Sequence, residues 1–270
     1  MSEHRQRGRP RAFHDTTQQN LIQSLDRACM ILTDLAANPG LTLTELAERL
    51  SQSPATLYRV LTTFEAHRIT ENDPATQTWH VGPGAFRIGS AFLRRTNIVE
   101  RARPYMERLV DQTGETANLG IRRSSHVIFL AQVETHHSIR AFFPPGTVSP
   151  LHASGIGKAL LSAMPDDDIR KLVRTAGLEG FTPRTLTGTD ALLADVATTR
   201  ARGFALDDEE RTGGMRCIAA VVRNAAGEAL AGISVSGPLN RLSDNRVTQV
   251  SRNVQDAAQA LSEDLGAGNA

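Results

Sequence analysis

Cys217, His152 and Asp207 are the residue types of a thiol hydrolase: a sulfur nucleophile, an imidazole base and an orienting carboxylate. No nucleophile signature surrounds Cys217, and nothing in the spacing makes the three converge. Free cysteine also packs as a small apolar group, so Cys217 reads equally as a buried strand residue or as the wall of a ligand site. His136-His137 is an adjacent pair that points to opposite sides of a strand, and it makes no metal chelate. Gly155-Ile156-Gly157 carries a different chemistry. It opens a helix, where unpaired backbone N–H groups and the positive end of the dipole suit a carboxylate without an arginine. Ser234 and Ser236 stand two apart on a strand and present hydroxyl donors on one face. Lys158 reads as a helix-surface charge, and His152 as a residue that orders the loop before the helix.

A second chemistry belongs to the N-terminal part. Leu43, Leu46, Ala47 and Leu50 share one helical face, Ser51-Gln52-Ser53 breaks the pattern, and Leu57, Val60, Leu61 and Phe64 resume it. Two short amphipathic helices joined by a polar turn are a helix-turn-helix, whose second helix enters the DNA major groove. Thr42 with Glu45 fits a capping box, Ser53 caps the second helix, and Pro54 suits its first position. The remaining face of that helix is Ser53, Ala55, Thr56 and Arg59. Small residues allow close approach to base edges, and arginine reads guanine bidentately.

The flanks must position that unit. Ile22, Leu25, Ala28, Cys29, Leu32 and Leu35 predict an upstream helix that packs on the pair and stops at Asn38-Pro39-Gly40. Residues 69–81 read as strand, turn and strand, with the turn at Asp73-Pro74-Ala75-Thr76. Helix, helix-turn-helix and hairpin together make the winged variant. Thr76, Gln77 and His80 are candidate phosphate contacts on the wing, although His80 reads equally as an exposed strand residue. Arg7, Arg9 and Arg11 lie in a basic N-terminal arm, Arg5-Gln6-Arg7-Gly8-Arg9-Pro10-Arg11, suited to an A·T-rich minor groove.

The chain has 270 residues, 40% hydrophobic, with a formal net charge of +1. That balance excludes an indiscriminate electrostatic DNA coat and favours site-directed binding by a dimer. Two cysteines, Cys29 and Cys217, give neither a disulfide framework nor a zinc pattern. With no signal peptide or membrane-length apolar run, the expectation is a cytoplasmic protein without membrane contact.

Ala85–Leu93 suggests a linker helix after Pro83-Gly84, and a helix at Val99–Thr113 begins a new domain. Strands are predicted at Thr116–Arg122, Val127–Val133, Ser138–Phe143 and Phe204–Asp208, and as a hairpin at Cys217–Arg223 and Ala229–Ser236. Helices are predicted at Gly155–Ala163, Asp166–Thr175, Asp190–Arg202 and about Arg246–Leu265. The expected fold class is α+β on a mainly antiparallel sheet. The boundaries are a flexible arm at 1–20, a winged helix-turn-helix at 21–82, a linker helix at 83–97 and an effector-binding domain at 98–270.

Four ordered blocks carry a resemblance. They are residues 151–161 (LHASGIGKALL), 203–210 (GFALDDEE), 214–220 (GMRCIAA) and 233–238 (ISVSGP). Behind a winged helix, these make the chain similar to the IclR family of bacterial transcription regulators over essentially its whole length. The resemblance implies a GAF-like effector domain, and dimers that often pair into tetramers on an operator. It also implies that Gly155, Ile156, Asp207, Met215, Cys217, Ser234 and Ser236 line the effector site, with Ala141 and Met215 as apolar walls. Ile156 departs from the small residue of the family's glyoxylate- and pyruvate-binding prototype and narrows the site. Asp207 either caps a turn or meets the ligand; beside a bound acid it must be protonated or bridged by a hydroxyl, which a hydrated aldehyde can supply.

The function expected is a transcription factor, not an enzyme, with no cofactor and no metal. It binds a pseudo-palindromic double-stranded operator as a homodimer or homotetramer. A small carboxylic acid modulates that binding, with glyoxylate or a related 2-oxo acid foremost, in control of two-carbon metabolism. The alternatives are a regulator of aromatic-acid catabolism, a thiol-dependent hydrolase using Cys217, and an architectural DNA binder.

Overall fold

The structure is a computed structural model that describes residues 21–96, 98–138 and 140–267. The arm that carries Arg7, Arg9 and Arg11 lies outside the described residues. The chain divides into two compact units, residues 1–95 and 96–270.

The first unit begins with α1 (Gln23–Ala37), followed by β1 (Leu41–Thr42), α2 (Leu43–Leu50), α3 (Pro54–Ala66), β2 (Thr70–Asp73), β3 (Thr78–Val81) and α4 (Pro83–Thr96). The capping box forms. Thr42 Oγ1 accepts from Glu45 N–H, and Glu45 Oε2 accepts from Thr42 N–H at 2.8 Å. Ser53 Oγ caps α3 by accepting from Thr56 N–H. Each cap contributes about 1 kcal/mol. Ile31, Leu35, Leu46, Leu57, Leu61 and Trp79 make the core. Two readings change here. Of the expected face of α1, Leu35 packs, together with Ile31, while Ile22, Leu25 and Cys29 are exposed. Apolar residues occupy more than one side of this helix, so periodicity alone does not choose the buried side. The wing is also three-stranded, in the order β1-β3-β2, because Leu41 and Thr42 pair with Trp79 and Thr78.

The second unit contains α5 (Ile98–Thr113), β4 (Thr116–Arg123), β5 (His126–Val133), β6 (Val148–Pro150), α6 (Gly155–Ser162), α7 (Asp166–Ala176), α8 (Thr189–Arg202), β7 (Ala205–Asp208), β8 (Met215–Arg223), β9 (Ala229–Pro238) and α9 (Asp244–Asp264). Its sheet has the order β6-β5-β4-β9-β8-β7, and every pairing is antiparallel. The α+β class with a winged helix-turn-helix and a mainly antiparallel second sheet is therefore present. Among the described residues of the strand predicted at Ser138–Phe143, none is in a strand. The free edge of β5 is taken by Val148–Pro150, with Phe129 N–H bonded to Thr147 O just before it. A strand edge accepts one neighbour, so 140–143 is left as loop, and Phe143 stacks on Phe129 with ring centroids 4.8 Å apart.

α5 and α9 pack on each other and on the sheet, while α6 covers β7, β8 and β9 and is backed by α8. Ile156, Ala159, Leu160 and Leu161 of α6 join Ala219 of β8, Ala205 of β7 and Leu192 and Val196 of α8 in one core. Lys158 is a correction: it is fully buried rather than a surface charge. A short helix wedged between a sheet and a second helix has no solvent face, so its lysine must find acids inside. Nζ lies 2.5 Å from Glu210 Oε1 and 3.1 Å from Asp195 Oδ2.

Candidate effector site and candidate DNA-reading face

α6 begins where Ser154 Oγ accepts from Gly157 N–H. Its first residue, Gly155, lies directly on β8. A Cβ at Gly155 would stand 2.6 Å from Cys217 Sγ, so only glycine permits this approach. The first turn of α6 is thereby pressed against the sheet at Cys217.

Cross-strand register assembles the rest. Asp207, Cys217, Ser236 and Thr116 form one row across β7, β8, β9 and β4. Ala205, Ala219, Ser234, Asn118 and Gln132 form the next row across β7, β8, β9, β4 and β5. Directly paired residues share a face, so Cys217, Ser234 and Ser236 stand together beneath the start of α6. Ser234 and Ser236 are buried. Among the described residues the buried Thr116 Oγ1 has no hydrogen-bond partner, and the buried Ser234 hydroxyl has none apart from the sulfur of Cys217. Such groups are costly to leave unsatisfied, and hydroxyls gathered in this way suit an acceptor ligand.

Asp207 accepts the N–H of Glu210 at 2.8 Å and so caps the turn after β7. Burial pushes its carboxyl up to about 6, opposed by the Glu210 and Arg211 amides and by Lys158. Burial also pushes Glu210 up to about 7, again opposed by Lys158. The turn is clamped from outside: Thr185 Oγ1 donates to Glu210 O at 2.6 Å, and Arg211 lies over the Phe181 ring.

Cys217 is a poor nucleophile. Burial first, then the charge of Asp207, push its thiol up to about 11, against stabilisation of the thiolate by Ser236, Ser234 and the Gly155 amide. His152 is turned elsewhere. Its Nε2 pairs with Glu179 O at 2.9 Å, its ring stacks on Phe181, and it lines a separate cavity of about 70 Å³ with Leu151 and Leu161. Among the described residues no group of His, Cys, Asp or Glu could hold a metal ion.

The other site residues sit as follows. The Ile156 side chain stands over two glycines: a Cβ at Gly232 would lie 2.7 Å from Ile156 Cγ2, and one at Gly120 3.4 Å. Ile156 therefore fills core space at the sheet, and only its backbone turn is offered beside Gly155. Met215 is half-buried, two residues along β8 from Cys217 and opposite Pro238. Ala141 is buried in the loop after β5. Asn118, Gln132 and Thr116 complete the polar floor and escaped the sequence reading. Only Asn118 had a signal, as a polar residue inside the buried run Ala117–Ile121.

On the first unit, Ser53, Ala55 and Arg59 are exposed and Thr56 is half-buried, all on the opening turns of α3 or its cap. Ser53 Oγ donates to Thr56 Oγ1 at 2.9 Å. Tyr58 is also exposed beside this face, set edge-on to Trp79. Thr76 and Gln77 are exposed at the wing tip, where Asp73 accepts from Ala75 N–H and Thr76 Oγ1, and Gln77 takes a left-handed φ of 57°. His80 is half-buried on β3, with Nε2 3.0 Å from Thr78 Oγ1.

Comparison with known proteins agrees with this two-part layout. The chain matches the model for the IclR helix-turn-helix domain at residues 24–74 and that for the bacterial transcriptional regulator IclR C-terminal domain at residues 90–263. It is 56% identical over 261 residues to the HTH-type transcriptional regulator BhcR of Paracoccus denitrificans, covering 96% of this chain and 94% of that one. It is 34% identical over 267 residues to the HTH-type transcriptional repressor AllR of Escherichia coli K12, covering 98% of each. The crystal structure of the Thermotoga maritima IclR superposes with a TM-score of 0.75 at 26% identity, over 91% of this chain and 100% of that one. These relatives are transcriptional regulators rather than enzymes, and the helix-turn-helix marks a DNA-binding protein. The chain belongs to the IclR family of bacterial transcriptional regulators.

Proposed function

We propose that this regulator binds a pseudo-palindromic operator as a homodimer or homotetramer in the cytoplasm, and that a small carboxylic acid modulates the binding. Ser53, Ala55, Thr56 and Arg59 read the major groove, Thr76, Gln77 and His80 hold the wing to phosphates, and Arg7, Arg9 and Arg11 enter the minor groove. The effector lies against the first turn of α6, with Gly155, Ile156, Asp207, Cys217, Ser234 and Ser236 around it and Ala141 and Met215 as apolar walls.

One observation carries this reading: the amide-bearing start of α6 meets two buried serine hydroxyls and Cys217 at a single spot. All of these groups except Asp207 favour an acceptor, and Asp207 is held protonated in mildly acidic solution. Glyoxylate fits best. Its carboxylate takes the amides and serine hydroxyls, and its hydrated aldehyde offers Asp207 a hydroxyl. That effector places the regulated genes in two-carbon metabolism.

The test is operator binding by fluorescence anisotropy, using DNA upstream of the regulator's own gene. Glyoxylate, pyruvate and an aromatic acid are titrated at fixed salt. A shift produced by glyoxylate supports the reading, and a shift produced by the aromatic acid alone replaces the effector. For any acid to act, it must bind the DNA-competent and incompetent states with different affinity.

A further inference from the structure

Asn118 is fully buried on β4, between Gln132 of β5 and Ser234 of β9. Gln132 Nε2 donates to Asn118 Oδ1 at 2.8 Å, and Asn118 Nδ2 donates to Ser236 Oγ at 3.2 Å. The relay has a direction. A serine oxygen that accepts from an amide aims its own proton at another group. Ser236 stands directly opposite Cys217, beneath the first turn of α6, so that proton is turned into the candidate site.

We propose that Asn118, backed by Gln132, is a positioning residue for the effector: it holds the Ser236 hydroxyl as a donor toward a carboxylate. This rests on the carboxylate reading above. The reverse polarity, with Asn118 Oδ1 accepting from Ser236, would turn serine lone pairs toward the ligand and repel an anion. Gln132 is only half-buried and belongs to the neighbouring strand, so it acts through Asn118. Ser234, held by no amide and set beside only the sulfur of Cys217, then remains the more adaptable of the two hydroxyls.

The test is calorimetric titration of the full-length protein with glyoxylate and with pyruvate, between about pH 5 and pH 8, the range into which burial raises a carboxyl introduced at this fully buried position. Wild type, Asn118→Leu and Asn118→Asp are compared at each pH, with thermal unfolding of each. Asn118→Leu is expected to weaken both acids about tenfold at every pH, the loss of one hydrogen bond to a charged ligand. Asn118→Asp is expected to weaken them further near pH 8. Near pH 5 it should return toward wild type, because the protonated carboxyl donates to Ser236 as the amide does. Binding by both variants equal to wild type, or an equal loss by both with no recovery on acidification, overturns the positioning role alone. Failure of wild type to bind either acid overturns the carboxylate reading, and this inference with it. If Asn118→Leu does not fold, the recovery of Asn118→Asp decides.

Discussion

Lys158 Nζ and Glu210 Oε1 meet 2.5 Å apart inside the second unit. The contact ties α6, whose first turn is the candidate anion site, to the turn that Asp207 caps. Asp195 of α8 lies 3.1 Å from the same ammonium. One lysine thus holds two acids and three segments around the site.

Lys158→Ala should destabilise the second unit by about 3–5 kcal/mol, since it leaves buried acids without their counter-charge. Lys158→Met, which keeps the volume, should be milder and should raise the Glu210 pKa further. Denaturant unfolding of both variants checks this. Equal stability to wild type in Lys158→Ala would mean that the acids simply take up protons without cost.

The pH dependence follows from two raised carboxyls. In the unfolded chain Asp207 and Glu210 titrate near their ordinary values, whereas folded they do so at about 6 and about 7. The folded state holds these protons more tightly, so their contribution to stability is present at low pH and is lost as pH rises from about 4 through 7. Thermal unfolding across that window should show the fall, and Asp207→Asn should flatten part of it. Carboxylate affinity should rise as pH drops through about 6, where Asp207 becomes neutral. An affinity independent of pH would remove Asp207 from the ligand's surroundings.

Gly155→Ala should cost about 1–3 kcal/mol by overpacking and should displace the first turn of α6 from the sheet. The added methyl meets Cys217 Sγ, so Cys217→Ala in the same chain should recover most of the loss. A double-mutant cycle read by unfolding measures the coupling. Additive effects would show that the close approach is not what fixes α6.

Arg59→Ala should weaken operator binding by about 1–3 kcal/mol if its guanidinium reads a base, and it should leave thermal stability unchanged because the side chain is exposed. Anisotropy with operator and scrambled DNA separates base reading from phosphate contact. A uniform loss on both DNAs would reassign Arg59 to the backbone.

The helix-turn-helix was legible because its signals are local: Thr42 with Glu45, Ser53 before Pro54, and apolar spacing of three and four. The start of α6 was equally readable from Gly155-Ile156-Gly157. What escaped depends on partners far along the chain. Lys158 looks exposed until α8 and the turn after β7 close over it. The edge beside β5 went to Val148–Pro150 rather than to 138–143, a choice between two segments that alternation cannot rank. Asn118 is one polar residue in an apolar run, and its meaning comes only from Ser236 in another strand. The buried side of α1 is legible only in part: Leu35 packs as expected, but Ile22 and Leu25 are as apolar as Ile31 and stay exposed.

Along β8, Arg216 and Cys217 point to opposite sides of the sheet. The guanidinium is gripped by Asp208 at 2.6 Å, the Leu242 carbonyl at 2.8 Å and Asp244 at 2.9 Å, while the thiol meets Gly155 on the other side. A slip of one residue would carry a cation into the candidate effector site and push the thiol beneath α9. New ligand preferences at this face are thereby reached by residue exchange more readily than by a change of register beside Cys217, while the exposed turn 212–214 just before the strand can vary in length.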